Sequence, residues 1–540
     1  MPASSRSADP GESLRKDPQM EKKWWTLLVA CAATFMFLLD LTIVIVALPQ
    51  IELALHTGFA DVEWVIDAYA LTLAAALLTA GSLADRYGQR RVFVVGLVIF
   101  TLGSLLCGVA QSPIMLIVSR AAQGVGGAVL FATSLSLLAN SFHGKDRGVA
   151  FGVWGAITGF ATGVGPILGG IITTDISWRG IFWVNVPIGI VAIAVTLWKV
   201  DEYRSSQSHR PDWAGFVTFT VAMVTLVYAL TEAGETTWGS PAVIACLCAA
   251  TVLMGAFVAV ERRVAHPMLD LSLLRVPTFD GGLVAAFAMN GSLFAMLLYL
   301  VLYLQDDLGY SALGTGLRVL LITGATLVVA TIAGRMSSHM PVRWLIGPGL
   351  ALVGVGLLLM SGLGAASSWT HLVPGFLVAG IGSGLVNPPL ASTAVGVVAP
   401  QRAGMASGAN STGRQIGIAV GVAAYGSIFT GSLLNGLRHA LSSSPALSHR
   451  TAQIAAAVQQ GTVGQLIGTT APGARGALVH AVRSAFAGAL DDLLVVSGIL
   501  AIAGALVAMS LIRSRDFVAS RPAPAPDALA RSQAVAAASH

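Results

Sequence analysis

The chain has 540 residues, of which 55% are hydrophobic and only 11% charged, and it carries a formal net charge of +5. A water-soluble domain has about 25% charged residues, so this composition excludes a soluble globular protein and makes lipid the solvent. The mean hydropathy of +0.77 agrees, and the positive excess follows from membrane topology rather than from a nucleic-acid partner.

A membrane-crossing helix needs about 20 mostly apolar residues, because lipid offers no partner to a free backbone N–H or C=O. In chain order, runs that meet this test lie at 25–48, 63–83, 92–111, 113–138, 149–173, 180–199 and 214–231. They continue at 240–260, 280–304, 314–334, 344–364, 372–399, 403–431 and 489–512. The chain is therefore expected to be an all-α polytopic membrane protein with fourteen spans. The first run is too long and too late for a cleaved leader, and Trp24 and Trp25 suit interfacial anchors. Residues 1–23 and 515–540 read as tails, the latter rich in Pro, Ala and Ser and expected to be disordered. Segment 433–488, rich in Ala, Ser and Gly, reads as an external loop.

Most of the basic residues fall in loops on one side. They include Lys22, Lys23, Arg86, Arg90, Arg91, Lys145, Arg204, Arg262, Arg263, Arg335, Arg343, Arg513 and Arg515. Short basic loops stay inside, so both termini are expected in the cytoplasm and the protein in the cell (plasma) membrane. Cys31, Cys107, Cys246 and Cys248 all lie in apolar runs and read as packing residues. The ten histidines are scattered without ligand spacing, so no metal site is expected. No G-x-x-x-x-G-K-[ST] stretch is present, and the GIGSGL run at 380–385 lies mid-span, so no cofactor or nucleotide motor is expected.

Charges inside spans cost several kcal/mol at least and point to function. Asp40 lies about 12 Å from the outer end of the first span, Arg120 about 10 Å deep on the fourth and Asp67 about 6 Å deep on the second. These similar levels in the outer half of the first bundle suit proton coupling. Asp40 would carry the proton, Arg120 would modulate it electrostatically, and Asp67 would be a second carrier or a contact for a cationic substrate. A static ion pair joining helices is the other reading.

Gly81 to Arg91 reads GSLADRYGQRR. It resembles the major facilitator pattern G-x-x-x-D-R-x-G-x-R-R at every fixed position: Gly81, Asp85, Arg86, Gly88, Arg90 and Arg91. Gly81 and Gly88 suit close packing and a tight turn. The resemblance implies a conformational gate in which Asp85 faces a helix N-terminus of the other bundle, a contact worth up to about 2 kcal/mol. The fifth span carries Gly155, Gly159 and Gly163 at intervals of four, then Gly165, Pro166, Gly169 and Gly170. That spacing suits close approach of a neighbouring backbone, and the stretch GFATGVGPILGG resembles the antiporter motif of major facilitator exporters.

The first span, LDLTIVIVALP, is similar to the signature of the fourteen-span drug:proton antiporters (EmrB/QacA type), with Asp40 in place and Ile45 where that family usually has Asn. SRAAQGVGGA resembles their R-x-x-Q-G motif through Arg120 and Gln123, and WRGIFWVNVPIG is similar before and into the sixth span. The resemblance is dense over the first 200 residues and thinner afterwards, as at Tyr303–Gln305 and Gly408–Gly417. It implies the major facilitator fold: two six-helix bundles, 24–200 and 276–514, with a linker and two additional central helices at 201–275. Asn290, Asn387, Asn410 and Arg414 would line the substrate cavity, with Arg318 and Gln415 also polar inside the second bundle.

The expected activity is export of small lipophilic molecules in exchange for protons, by a monomer in membrane lipid. A proton moving down about 100 mV yields about 2.3 kcal/mol, and each pH unit adds about 1.4. One proton per cycle thus sustains roughly a few hundred-fold gradient of a neutral solute. An exporter of one endogenous metabolite or antibiotic, a nutrient importer and a non-transporting receptor remain the alternatives. No nucleophile–base pair suggests an enzyme.

Overall fold

The computed structural model describes residues 18–517 apart from 143, 205–210, 338–339, 399–402, 443–449, 451–452, 455–465 and 467–471. The first half consists of α1 (Pro18–Leu55), α2 (Phe59–Tyr87), α3 (Gln89–Gly108), α4 (Pro113–Ser141), α5 (Gly144–Asp175) and α6 (Gly180–Lys199). Two helices follow, α7 (Trp213–Glu235) and α8 (Pro241–Glu261). The second half holds α9 (Pro277–Asp307), α10 (Ala312–Met336), α11 (Arg343–Leu359), α12 (Val373–Gly396), α13 (Ala403–Ser442) and α14 (Pro472–Leu511). Among the described residues eleven helices are long and apolar enough to cross a membrane; α2 and α5 are not in that set, and α11 is a shorter apolar helix.

Local chemistry explains the helix starts. Ser112 accepts from Met115 N–H at 3.3 Å ahead of Pro113, and Ser311 accepts from Gly314 N–H at 3.1 Å. Asp212 accepts from Gly215 N–H at 2.7 Å and so opens α7. Each such cap is worth about 1 kcal/mol. The α2–α3 turn is a single residue, Gly88, whose φ of 104° is a conformation that side-chain-bearing residues avoid. Two π-turns, Asn290–Phe294 and Tyr303–Asp307, interrupt α9.

The two halves pack alike. In the first, α2 and α3 both lie on α4 while α1 lies on α5; eight helices later, α10 and α11 both lie on α12 while α9 lies on α13. Lipid gives helices little reason to hide apolar surface from one another, so close approach at small residues holds such bundles together. A Cβ on Gly126 would stand 2.6 Å from the Phe100 backbone nitrogen, and one on Gly103 would stand 3.0 Å from the backbone of Gln123. Ile114, Val118, Ile190, Val252 and Leu506 are exposed, as lipid-facing residues should be.

Two seams join the halves: α5 on α10, and α2 on α13. They are counterparts under the eight-helix offset. Helices α7 and α8 pack on each other, and α7 lies against α2 and α13. The additional pair therefore flanks one seam rather than separating the bundles.

Three boundaries differ from the expectation. The loop expected at 433–488 is shorter, because α13 continues to Ser442 and α14 starts at Pro472. Alanine-rich helix lowers the hydropathy there without ending the helix. The N-terminal tail expected at 1–23 gives way to α1 at Pro18, and residues 1–17 lie outside the described residues. Of the tail expected at 515–540, Ser514–Asp516 forms a 3-10 turn and Phe517 packs against Val397, Val398 and Ala406. Residues 518–540 lie outside the described residues.

Candidate functional site

Asp40, 0% exposed, stands in the middle of α1, and Arg120, 2% exposed, one side chain away on α4. The Arg120 guanidinium donates to Asp40 Oδ2 at 2.5 Å and to Gln123 Oε1 at 2.7 Å. Gln123 Nε2 donates back to Asp40 Oδ1 at 2.9 Å and to Ser104 Oγ on α3 at 2.9 Å. Asn185 on α6 donates to Ser104 at 3.0 Å and to Asp40 Oδ1 at 3.4 Å. Arg120 Nε donates to the Val65 carbonyl of α2 at 3.1 Å, and its guanidinium lies 4.0 Å from the centre of the Tyr69 ring. A carboxylate and a guanidinium are thus satisfied by five helices inside one bundle. Removing one partner of such a pair costs about 3–5 kcal/mol.

Asp67 does not join this network. It is fully buried on α2, and neither carboxyl oxygen has a hydrogen-bond partner. One turn earlier on the same face is Glu63, 2% exposed. Its Oε1 lies 2.9 Å from the hydroxyl oxygen of Tyr299 on α9, across the α2–α13 seam. Asp40 and Arg120 are paired as the sequence leads one to expect, whereas Asp67 faces another way around its helix, which its position in the chain does not reveal.

The seams close at the ends of the helices remote from the termini. Gly170 near the end of α5 meets the backbone of Ala312 and Leu313 at the start of α10, and Gly316 meets the Pro166 carbonyl. Leu313 N–H donates to Thr174 Oγ1 at 3.2 Å, and Gln305 Nε2 donates to the Val46 carbonyl at 2.8 Å. Gly165 and Gly169 face Thr42 and Ile43 of α1. Gly155 and Gly163, nearer the terminal side, meet no described residue within 4 Å, so the close approach expected of that part of the motif is not seen among the described residues. Gly159 belongs to α5, but its surroundings lie outside the described residues. The helix runs on through Pro166 unbroken.

The 81–91 loop is tied to its own bundle. Arg90 N–H donates to Glu202 Oε1 at 3.0 Å, the Arg90 guanidinium donates to the Val200 carbonyl at 3.1 Å, and Arg91 Nε lies 3.7 Å from Glu202 Oε2. Arg86 lies over Tyr87 at 5.6 Å. A Cβ on Gly81 would meet nothing within 4 Å among the described residues, so its expected close packing is not seen among them. The Asp85 side chain lies outside the described residues.

In the second bundle Arg414 donates to Asn387 Oδ1 at 2.9 Å, which brings α13 and α12 together. Asn410, one turn before Arg414, is buried with its Oδ1 unpartnered. Asn290 sits in the first π-turn and donates to the Ala286 carbonyl at 2.9 Å. Arg318, expected among the cavity polar groups, instead lies 3.5 Å from the Tyr310 ring centre and 4.8 Å from that of Trp369, at the first turns of α10. The aromatic faces stabilise its charge there.

The family model of the Major Facilitator Superfamily matches residues 30–422. The chain belongs to that superfamily. It is 37% identical over 404 residues, 75% of each chain, to a multidrug resistance protein of Mycobacterium tuberculosis. It is 31% identical over 520 residues, 93% of each chain, to the tetracenomycin C resistance and export protein of Streptomyces glaucescens. A puromycin resistance protein of Streptomyces alboniger is 35% identical over 431 residues, 79% of this chain and 86% of that one. Among solved structures, a bacterial homologue of the human lysosomal transporter Spinster, inward-facing and occupied, aligns over 94% of this chain and 100% of that one, with a TM-score of 0.63 at 16% identity.

Membership of the superfamily makes the chain a membrane-embedded transporter of small molecules and not an enzyme. Within that frame, several residues that matter were overlooked by sequence reading. Asn185 was visible only as part of WRGIFWVNVPIG, and Ser104 as one serine in an apolar run. Glu63 reads in the sequence as a span boundary, although its spacing of four from Asp67 signals a shared face. Nothing in the sequence marks Glu202 as the partner of the 81–91 loop.

Proposed function

We propose that this protein is a fourteen-span exporter of small, lipophilic molecules, drugs or antibiotics among them, that works as a monomer in the cell membrane and exchanges its cargo for protons by alternating access. The observation that supports it best is the buried Asp40–Arg120 pair with Gln123 and Asn185: one ionisable carboxyl, held by neutral donors and one cation, inside a bundle that also forms a seam with the other half. Asp40 carries the proton, and Arg120 favours its release. The basic loops put both termini in the cytoplasm, so the closed ends of the seams face outward and the conformation opens inward. Gly81, Asp85, Arg86, Gly88, Arg90 and Arg91 act as the gate on the cytoplasmic side, and Gly165, Pro166, Gly169 and Gly170 as the outer packing surface of the exporter. Asn290, Asn387, Asn410 and Arg414 offer polar contacts to cargo. The names of the relatives support efflux and resistance; they leave open a broad cargo range or one compound made by the same cell.

The test is flux in reconstituted vesicles with an imposed pH gradient, comparing the wild type with Asp40→Asn against lipophilic cations and neutral antibiotics. Cargo movement opposite to the proton gradient, lost in the variant, is expected. Gradient-driven flux that survives Asp40→Asn would remove Asp40 from the carrier role.

A further inference from the structure

Tyr299 is completely buried on α9, and its one hydroxyl hydrogen has two claimants. The hydroxyl oxygen lies 2.7 Å from the Val422 carbonyl of α13 and 2.9 Å from Glu63 Oε1 of α2. A carbonyl only accepts, and an ionised carboxylate only accepts, while a tyrosine hydroxyl donates once and accepts. Both short contacts are satisfied together when Glu63 is neutral: its own proton goes to the Tyr299 oxygen, and the Tyr299 hydrogen goes to Val422. Asp67, buried one turn away with both oxygens unpartnered, adds a second carboxyl that the same dry region must hold. Two negative charges there would have to bear their desolvation and their mutual repulsion.

The seam is shaped for this carboxyl. A Cβ on Gly426 of α13 would overlap the Glu63 carboxyl, so α13 is bare where Glu63 enters. The contact joins α2 of the first bundle to α9 and α13 of the second, at the end of the seam that must part for the outer side to open. Titratable groups beside it include Asp67 one turn on, Asp61, bonded to Thr57 at the helix start, and Tyr425 of α13, whose ring lies 6.1 Å from that of Tyr299. Helix α7 brings Met223, Val227 and Leu230 to the neighbouring stretch of the seam, with Trp64 packed beside them.

We propose that Glu63 is a proton-linked latch of the outer seam, distinct from Asp40. Protonated, Glu63 closes the Glu63–Tyr299–Val422 chain and holds the two bundles together on the outer side. Ionised, it loses its place beside Tyr299 and Gly426, and the seam opens. This rests on the proton-coupled reading above and deepens it, because proton loading from outside then drives closure of the same side. Tyr299 and Gly426 are positioning residues for the latch.

The experiment reads the outer seam directly. Spin labels at His56→Cys, in the turn before α2, and Asn435→Cys, toward the outer end of α13, both exposed, report the opening of the α2–α13 seam by double electron–electron resonance in lipid nanodiscs from pH 5 to 9, in a background with the four native cysteines replaced. In the wild type the short-distance population is expected to give way to a longer one as pH rises. Glu63→Gln, which keeps a donor for Tyr299 at every pH, is expected to abolish that shift and stay closed. Gly426→Ala, which displaces only the end of a flexible side chain, is expected to move the midpoint by about one pH unit toward acid. A wild-type shift that persists unchanged in both variants overturns the latch and leaves proton coupling through Asp40 standing. No shift in the wild type overturns the latch as well, and if gradient-driven flux is also absent, the proton-coupled reading falls with it.

Discussion

Asn185 donates to Asp40 across 145 residues of chain, at 3.4 Å, and the same amide nitrogen holds Ser104 at 3.0 Å. The contact ties α6 to the carboxyl on α1 and sets the third donor around it after Arg120 and Gln123. A neutral amide stabilises the ionised carboxyl without adding charge to the bundle. The buried carboxyl site is therefore assembled by helices from both ends of the first half, and its surroundings depend on their relative position.

Asn185→Ala removes a long hydrogen bond to a charged group and leaves the Asp40–Arg120 pair intact. Such a bond contributes about 1 kcal/mol, so a roughly three- to tenfold loss of gradient-driven flux is expected, with membrane expression retained. Initial rates in vesicles at one imposed gradient measure it.

Arg120→Gln removes the cation but keeps a donor. The charge that balances Asp40 goes with it, so flux at neutral pH should fall at least tenfold. The variant should also unfold at a lower temperature, because the pair is buried and the remaining carboxyl is uncompensated whenever it ionises.

Gly316→Leu places a side chain against the Pro166 carbonyl, where even a Cβ does not fit. Closure of the α5–α10 seam should fail while each bundle still folds. Transport is expected to be lost by more than tenfold with near-normal abundance in the membrane, measured by quantitative blot and vesicle flux together.

Glu202→Ala frees the Arg90 N–H and the Arg91 guanidinium. Arg91 is 68% exposed, and exposed pairs contribute little. The expected loss of stability is about 1 kcal/mol or less, mostly from the backbone N–H of Arg90, and a melting curve in detergent checks it.

Hydropathy and composition carried the membrane and the positions of most of the long helices, because these depend on one helix at a time. Length follows from the hydrocarbon that must be crossed, and depth from the rise of about 1.5 Å per residue. Asp40 and Arg120 were legible as partners for that reason, and so was the motif loop around Gly88. Only the packed structure decided which way each side chain faces around its helix axis. Asp67 turns from Arg120 toward Glu63 and the seam, Arg318 ends between Tyr310 and Trp369, and the Arg91 guanidinium reaches Glu202. Such directions are set by which helices lie alongside, and that is settled by the close approach of small residues and by hydrogen bonds between segments far apart in the chain. The same reason hid the Glu63–Tyr299 contact, whose partners stand 236 residues apart and meet only when the two bundles close on each other.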